Sequence, residues 1–259
     1  MGGGLRNIFY IIVMWYVWAI LIFSFLVLTL LICTGVTRST YEGDGSFPKI
    51  IHQTAPADES KWPPIWKPCQ ESWKKNFPDY EYRMWTDEDL DEFIKTKYAW
   101  FYPTYMGYPK KINRIDAARY FILYEYGGIY ADMDYECVKN FEHLIPKGKA
   151  CAAESPHPVE KYQNALMISP AKHVFWTHTW KDLEKHKSLT DVLYCTGPEV
   201  IHRTANKYPE LFKGLPKTVF AQPHDETFQH AIAANKYIDV LPPAPEWVYS
   251  RHFGTAVWT

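Results

Sequence analysis

Asp132 and Asp134 close the run Tyr126-Gly127-Gly128-Ile129-Tyr130-Ala131-Asp132-Met133-Asp134. On a regular strand, residues two apart point to the same face, so this spacing predicts two carboxylates side by side at a strand's end. Together they would make a hard oxygen site for Mn²⁺ or Mg²⁺ beside a diphosphate, which is nucleotide-sugar chemistry. A surface turn with two solvated aspartates carries the same D-x-D, so the neighbouring residues must decide. A metal-dependent phosphatase would use Asp132 as a nucleophile, but it needs Asp-x-Asp-x-Thr/Val at the end of the first strand. Here the fifth position is Glu136 and strands precede the motif.

The elements that must position these carboxylates are legible from periodicity. Residues 112–126 predict a helix with Ile112, Ile115, Ala118 and Ile122 on one face, ended by Gly127-Gly128 as a left-handed cap would end it. Asp116 and Arg119 lie three apart on it and can share a face, as a surface ion pair or as a functional one. Strands are expected at 48–54, 80–85, 129–132, 150–153, 165–168 and 218–221. Helices are expected at 66–75, 87–95, 174–185 and 199–207, with Thr86 as N-cap of the second. The alternation argues α/β with a mixed, largely parallel sheet. Carboxylates leaving such a sheet at a strand's C-terminal end sit where ligands of open α/β folds bind.

Residues 8–36 contain no charge and are rich in Ile, Leu, Val, Phe and Trp. As a helix this run would be about 44 Å long, enough for a hydrocarbon core of about 30 Å. It is too long for a signal peptide, and only Arg6 precedes it. The expected layout is a tail over 1–7, a transmembrane helix over 8–36, a short stem over 37–47 and one catalytic domain over 48–259. Arg6 and Arg38 flank the run, so charge does not orient it. With 28 basic and 29 acidic residues there is no footprint for nucleic acid. Cys69, Cys137, Cys151 and Cys195 show no zinc spacing, and two disulfides or none are equally compatible with them.

Four segments occur in order: Pro48-Lys49-Ile50-Ile51-His52-Gln53-Thr54, Trp85-Thr86-Asp87, Arg114-Ile115-Asp116-Ala117-Ala118-Arg119-Tyr120, and the run ending in Asp134. The pattern resembles the glycosyltransferase family of the yeast initiating α-1,6-mannosyltransferase and the inositol-phosphorylceramide mannosyltransferase catalytic subunits. Its sugar-binding region is similar to that of the clostridial glucosylating toxins. The resemblance covers about 48–259. It implies a GT-A (Rossmann-like) fold, a Mn²⁺-dependent retaining transfer, a regulatory membrane subunit as partner, and a single-pass Golgi or secretory-pathway protein with a lumenal catalytic domain.

Carried onto this sequence, the resemblance implies Asp134 as direct metal ligand, with Asp132 on the ribose or reaching the metal through water. Asp116 and Arg119 would hold donor-sugar hydroxyls, Arg119 also lying near the phosphates. Arg114 is a donor contact or a structural partner. His52, Gln53 and Thr54 should border the nucleoside, and Trp85 lines the base pocket or belongs to the core. Asn164 resembles a position near the reaction centre, and Thr196-Gly197-Pro198 a turn on the acceptor side. In Ser250-Arg251-His252-Phe253-Gly254-Thr255-Ala256-Val257-Trp258, His252 would reach the metal or diphosphate and Trp258 would close over the donor.

The expectation is transfer of a hexose, mannose from GDP-mannose first, to an inositol-phosphorylceramide-type sphingolipid. A glycan is the alternative acceptor and a UDP-sugar the alternative donor. A catalytically inactive sugar-binding scaffold is the rival from another class.

Overall fold

The computed structural model describes residues 14–16, 18, 47–156, 160–221 and 243–255. The chain divides into two compact units, Met1–Glu42 and Gly43–Thr259. In the first, Met14, Trp15, Tyr16 and Trp18 are helical and exposed; the rest of the expected tail and anchor, and all but the last stem residue, lie outside the described residues. Among the described residues no helix is long and apolar enough to cross a membrane. That finding corrects the expected single-pass localisation. Apolarity summed along a sequence is necessary for a span, but it does not establish one continuous helix.

The second unit is α/β. Its strands are β1 (Ile50–Thr54), β2 (Glu81–Trp85), β3 (Gly128–Ala131), β4 (Tyr135–Cys137), β5 (Ala150–Glu154), β6 (Tyr162–Ser169), β7 (Phe212–Leu215) and β8 (Ser250–His252). The α-helices are α1 (Trp66–Asn76), α2 (Asp87–Lys97), α3 (Tyr102–Gly107), α4 (Lys111–Tyr126), α5 (Val174–His186), α6 (Val192–Cys195), α7 (Pro198–Lys207) and α8 (Lys217–Phe220). Six strands form one sheet in the order β2-β1-β3-β6-β5-β7, and β4 pairs with β8 in a second. In the large sheet β1 runs parallel to β2 and β3, and β5 parallel to β7, while β6 is antiparallel to both of its neighbours. The sheet is therefore mixed and mostly parallel, as expected. The strand expected at 218–221 is instead the short helix α8, and β7 precedes it.

Strand alternation splits the core in two. Tyr130, Ala152 and Met167 pack with α4, Phe175 and Trp176 on one face; Ile129, Cys151 and Ile168 pack with Trp73, Phe77 and Phe141 on the other. Each such fully buried large side chain contributes about 1.5–3 kcal/mol relative to exposure. Helix α4 is buried almost all round from Asp116 to Leu123, whereas Ile112 and Ile115 are only half-buried. Its single expected apolar face is thus incomplete: this is a central helix, and its polar side chains are buried with it.

The passage from α4 into β3 requires the two glycines. Gly127 caps the helix at φ 65° and Gly128 follows at φ 87°. A Cβ on Gly127 would lie 2.5 Å from the Ala171 amide nitrogen, and one on Gly128 2.4 Å from the Ile50 carbonyl oxygen. Only glycine accepts both the backbone conformation and the approach. The helix can therefore run directly into a strand pressed against β1, which delivers the two aspartates to the sheet's end.

Candidate active site

The strand ends at Ala131, and Asp132-Met133-Asp134 forms a turn closed by the Tyr135 amide on the Asp132 carbonyl at 3.0 Å. The carboxylates therefore converge through a turn rather than through strand alternation. Gln53 braces that turn from β1: its Nε2 donates to the Asp132 carbonyl at 3.1 Å, and its Oε1 accepts from Tyr82 at 2.6 Å.

Behind the turn lies a buried polar chain. Arg119 donates to the Asn164 carbonyl at 2.9 Å and pairs with Asp116 at 3.0 Å and Asp132 at 3.3 Å. Its guanidinium lies 4.8 Å from the centre of the Tyr130 ring. Asp116 also accepts from Asn164 Nδ2 at 3.0 Å and from the Thr196 hydroxyl at 3.3 Å. On the other side Tyr130 donates to Asp132 at 2.8 Å, and its oxygen lies 3.0 Å from Thr54 Oγ1. The chain runs from β1 through β3 and α4 to the turn before α7. Asn164 lies inside β6 rather than ahead of it.

These contacts set the charges. Burial pushes the Asp116 carboxyl up to about 6, with Arg119 pulling the other way. Burial also raises Asp132, again against Arg119, and neighbouring Asp134 adds to the rise. Arg119 stays charged, because the carboxylates outweigh its burial. At Asp134 burial is outweighed by His252 and Thr255, which hold the carboxyl down at about 2.

The small sheet brings His252 to the aspartates. Tyr135 is in register with His252 and Glu136 with Arg251. The Arg251 guanidinium pairs with Glu136, Nε donating at 2.6 Å, in a buried ion pair. His252 stacks on Tyr135 at 5.0 Å between ring centres, and its Nε2 lies 3.3 Å from Asp134 Oδ1. Helix α1 holds this strand pair in place, as Trp73 donates to the Tyr135 carbonyl at 2.6 Å. Asp132, Asp134 and His252 each offer a ligand atom, and these atoms lie within 4.8 Å of one another. Two carboxylates suit Mn²⁺ or Mg²⁺, and the added imidazole favours Mn²⁺ of the two.

Several expected contacts take other places. His52 is fully buried, with Nε2 facing the Gly127 carbonyl at 3.0 Å and Nδ1 accepting from Trp85 at 3.2 Å. Both ring nitrogens are engaged within the protein, which corrects the expected nucleoside contact to a structural one. Trp85 belongs to the core beside Phe93 and Tyr126. Gln53 supports the Asp132 backbone, and Thr54 reaches Asp132 through Tyr130. Arg114 faces Asp91 at 3.4 Å, away from the cluster's hydrogen bonds. Trp258 lies outside the described residues. The residues not singled out from sequence are Tyr130 and Thr255. Thr255 donates to Asp134 Oδ2 from its amide at 2.6 Å and its hydroxyl at 2.8 Å. It stands in the same C-terminal segment as His252, and that proximity was the available signal.

Comparison with known proteins identifies the region around this site. Residues 63–150 match the glycosyltransferase sugar-binding region containing a DXD motif. The chain is 39% identical over 158 residues to inositol phosphoceramide mannosyltransferase 3 of Schizosaccharomyces pombe, covering 59% of this chain and 43% of that protein. It is 35% identical over 187 residues to mannosyl phosphorylinositol ceramide synthase SUR1 of Saccharomyces cerevisiae, covering 69% and 48%. The chain thus spans about half the length of the curated relatives it matches. Among solved structures, the UDP-bound glycosyltransferase domain from the YGT toxin is similar at a TM-score of 0.48, with 9% identity over 77% of this chain and 88% of that one.

Proposed function

From a chain that carries the sugar-binding region of the DXD glycosyltransferases, we propose a metal-dependent retaining hexosyltransferase of GT-A architecture. Its donor is a nucleotide sugar, GDP-mannose first, and its acceptor a hydroxyl of an inositol-phosphorylceramide-type sphingolipid. The names of the relatives support the sugar and the acceptor. The observation that carries the chemistry is the convergence of Asp132, Asp134 and His252 within 4.8 Å, beside the buried Asp116–Arg119–Asp132 chain.

In this reading Asp134, His252 and Asp132 would hold a Mn²⁺ ion. When bound, such an ion neutralises the diphosphate and stabilises it as a leaving group. Asp116 would accept from a donor-sugar hydroxyl, since its carboxylate is already fixed by Asn164, Thr196 and Arg119. Arg119 would donate to the sugar while its charge balances Asp116 and Asp132. Thr54 and Tyr130 orient Asp132, and Gln53 fixes the backbone of the turn. With no residue here assigned as a covalent nucleophile, the acceptor's proton would pass to the departing diphosphate on the same face.

The test is a transfer assay on the full chain, with and without the regulatory subunit that the family resemblance implies. GDP-mannose and UDP-hexoses are offered with Mn²⁺ and either inositol-phosphorylceramide or a glycan acceptor, and products are read by mass spectrometry. A hexosylated ceramide product is expected from GDP-mannose. Products from a glycan acceptor alone would reassign the acceptor, and none from any nucleotide sugar in either preparation would contradict the assignment.

A further inference from the structure

Resting on the cation-site reading above, we propose that Thr255 is a positioning residue that clamps one oxygen of Asp134 so that the other faces the metal. Asp134 Oδ2 accepts two hydrogen bonds from Thr255, at 2.6 Å from the amide and 2.8 Å from the hydroxyl. The direction of the hydroxyl bond is fixed from outside. Trp66 Nε1 approaches Thr255 Oγ1 at 3.1 Å, and an indole N–H can only donate. The hydroxyl accepts from Trp66, and its own proton is left for Asp134.

The remaining oxygen, Oδ1, lies on the His252 side at 3.3 Å from Nε2. The carboxylate therefore presents a single oxygen to the cluster formed with Asp132 and His252. Gly254, at φ 59°, turns the backbone back so that the Thr255 amide aims at Asp134. Phe253 anchors the turn twice: its amide donates to the Asp134 carbonyl at 3.0 Å, and its ring packs with Ile65, Cys69 and Trp66. Helix α1 thereby sets the rotation of a metal-ligating side chain whose nearest support lies far along the chain. Outer hydrogen bonds of this kind orient ligands and are worth a large part of metal affinity.

The test is Mn²⁺ titration of the full chain, with free Mn²⁺ read by electron paramagnetic resonance and no substrate present. Thr255→Val keeps the side chain's shape but removes the hydroxyl bond to Asp134, and is expected to weaken Mn²⁺ binding about tenfold. Thr255→Ser should restore the affinity. Trp66→Phe, which removes the N–H together with part of the indole ring, should weaken binding in the same direction and carries the test if the valine variant fails to fold. Mn²⁺ affinity unchanged in Thr255→Val while Asp134→Ala loses binding would overturn the clamp and leave the cation site standing. No Mn²⁺ binding by the unmodified chain would overturn both.

Discussion

Trp85 donates its indole N–H to Nδ1 of His52 at 3.2 Å, which leaves His52 Nε2 to donate to the Gly127 carbonyl at 3.0 Å. This pins one neutral tautomer between β1, β2 and the cap of α4. A second proton would have to displace the Trp85 bond inside the core.

The pH dependence of folding follows from that pair. Burial drives the His52 pKa down to about 3, against its hydrogen bond to Gly127. A histidine depressed in the folded state contributes stability above its unfolded pKa of about 6.5 and loses it as pH falls towards 3. Between pH 6.5 and 5 this group should cost about 2 kcal/mol of folding stability. Urea denaturation at both pH values checks it. His52→Gln should be less stable at pH 7 and show a correspondingly smaller loss on acidification.

Asp116 has the opposite sign. Its folded pKa, about 6, lies above the ordinary carboxylate value, so it favours folding below pH 4 and that contribution disappears as pH rises through 6. Its proposed sugar contact needs the ionised form. kcat/KM is therefore expected to fall about tenfold per pH unit below 6. A pH–rate profile measures this, and Asp116→Asn should be low in activity and lack that limb.

Arg119 is the only cation paired with both Asp116 and Asp132 among the described residues. Arg119→Met leaves two carboxylates buried together and should cost about 3–5 kcal/mol at pH 7. The deficit should shrink in acid, where protonation relieves the repulsion. Chemical denaturation at pH 7 and pH 5 distinguishes this from simple loss of packing, which would be the same at both.

Glu136 and Arg251 hold β8 in register beneath the site. Arg251→Met strands a buried carboxylate and should cost about 3–5 kcal/mol. The double variant Glu136→Leu/Arg251→Met should recover most of that loss, a coupling read from a double-mutant cycle. Additive losses would show that the pair acts independently.

Much of this arrangement is local and was legible in the sequence. Helix α4, its glycine cap, β3 and the two aspartates form one continuous stretch, so periodicity and turn chemistry give their order. Thr86 was likewise expected as an N-cap, and it forms a capping box with Asp89. The parts that were not legible depend on distant pairing. A strand end reads as polar whether its side chains face a ligand or the core, so His52 looked like a binding residue and Trp85 stood between base pocket and core. Asp116 and Arg119 have the spacing of a surface pair, and only burial of α4 on nearly all sides makes them interior. Thr255 meets Asp134 only because β8 pairs with β4, and such short strands leave too few residues for alternation to show. The expected anchor lies almost wholly outside the described residues, and among those no helix is long and apolar enough to cross a membrane.

The most direct test is thermal unfolding of the full chain with GDP-mannose, UDP-glucose and UDP-galactose, each with and without Mn²⁺, in the unmodified protein and in Asp134→Ala. The account predicts that one nucleotide sugar raises the unfolding temperature only when Mn²⁺ is present, and that Asp134→Ala abolishes the rise. Stabilisation by a nucleotide sugar that is indifferent to Mn²⁺ and to Asp134, or none with any donor, would contradict it.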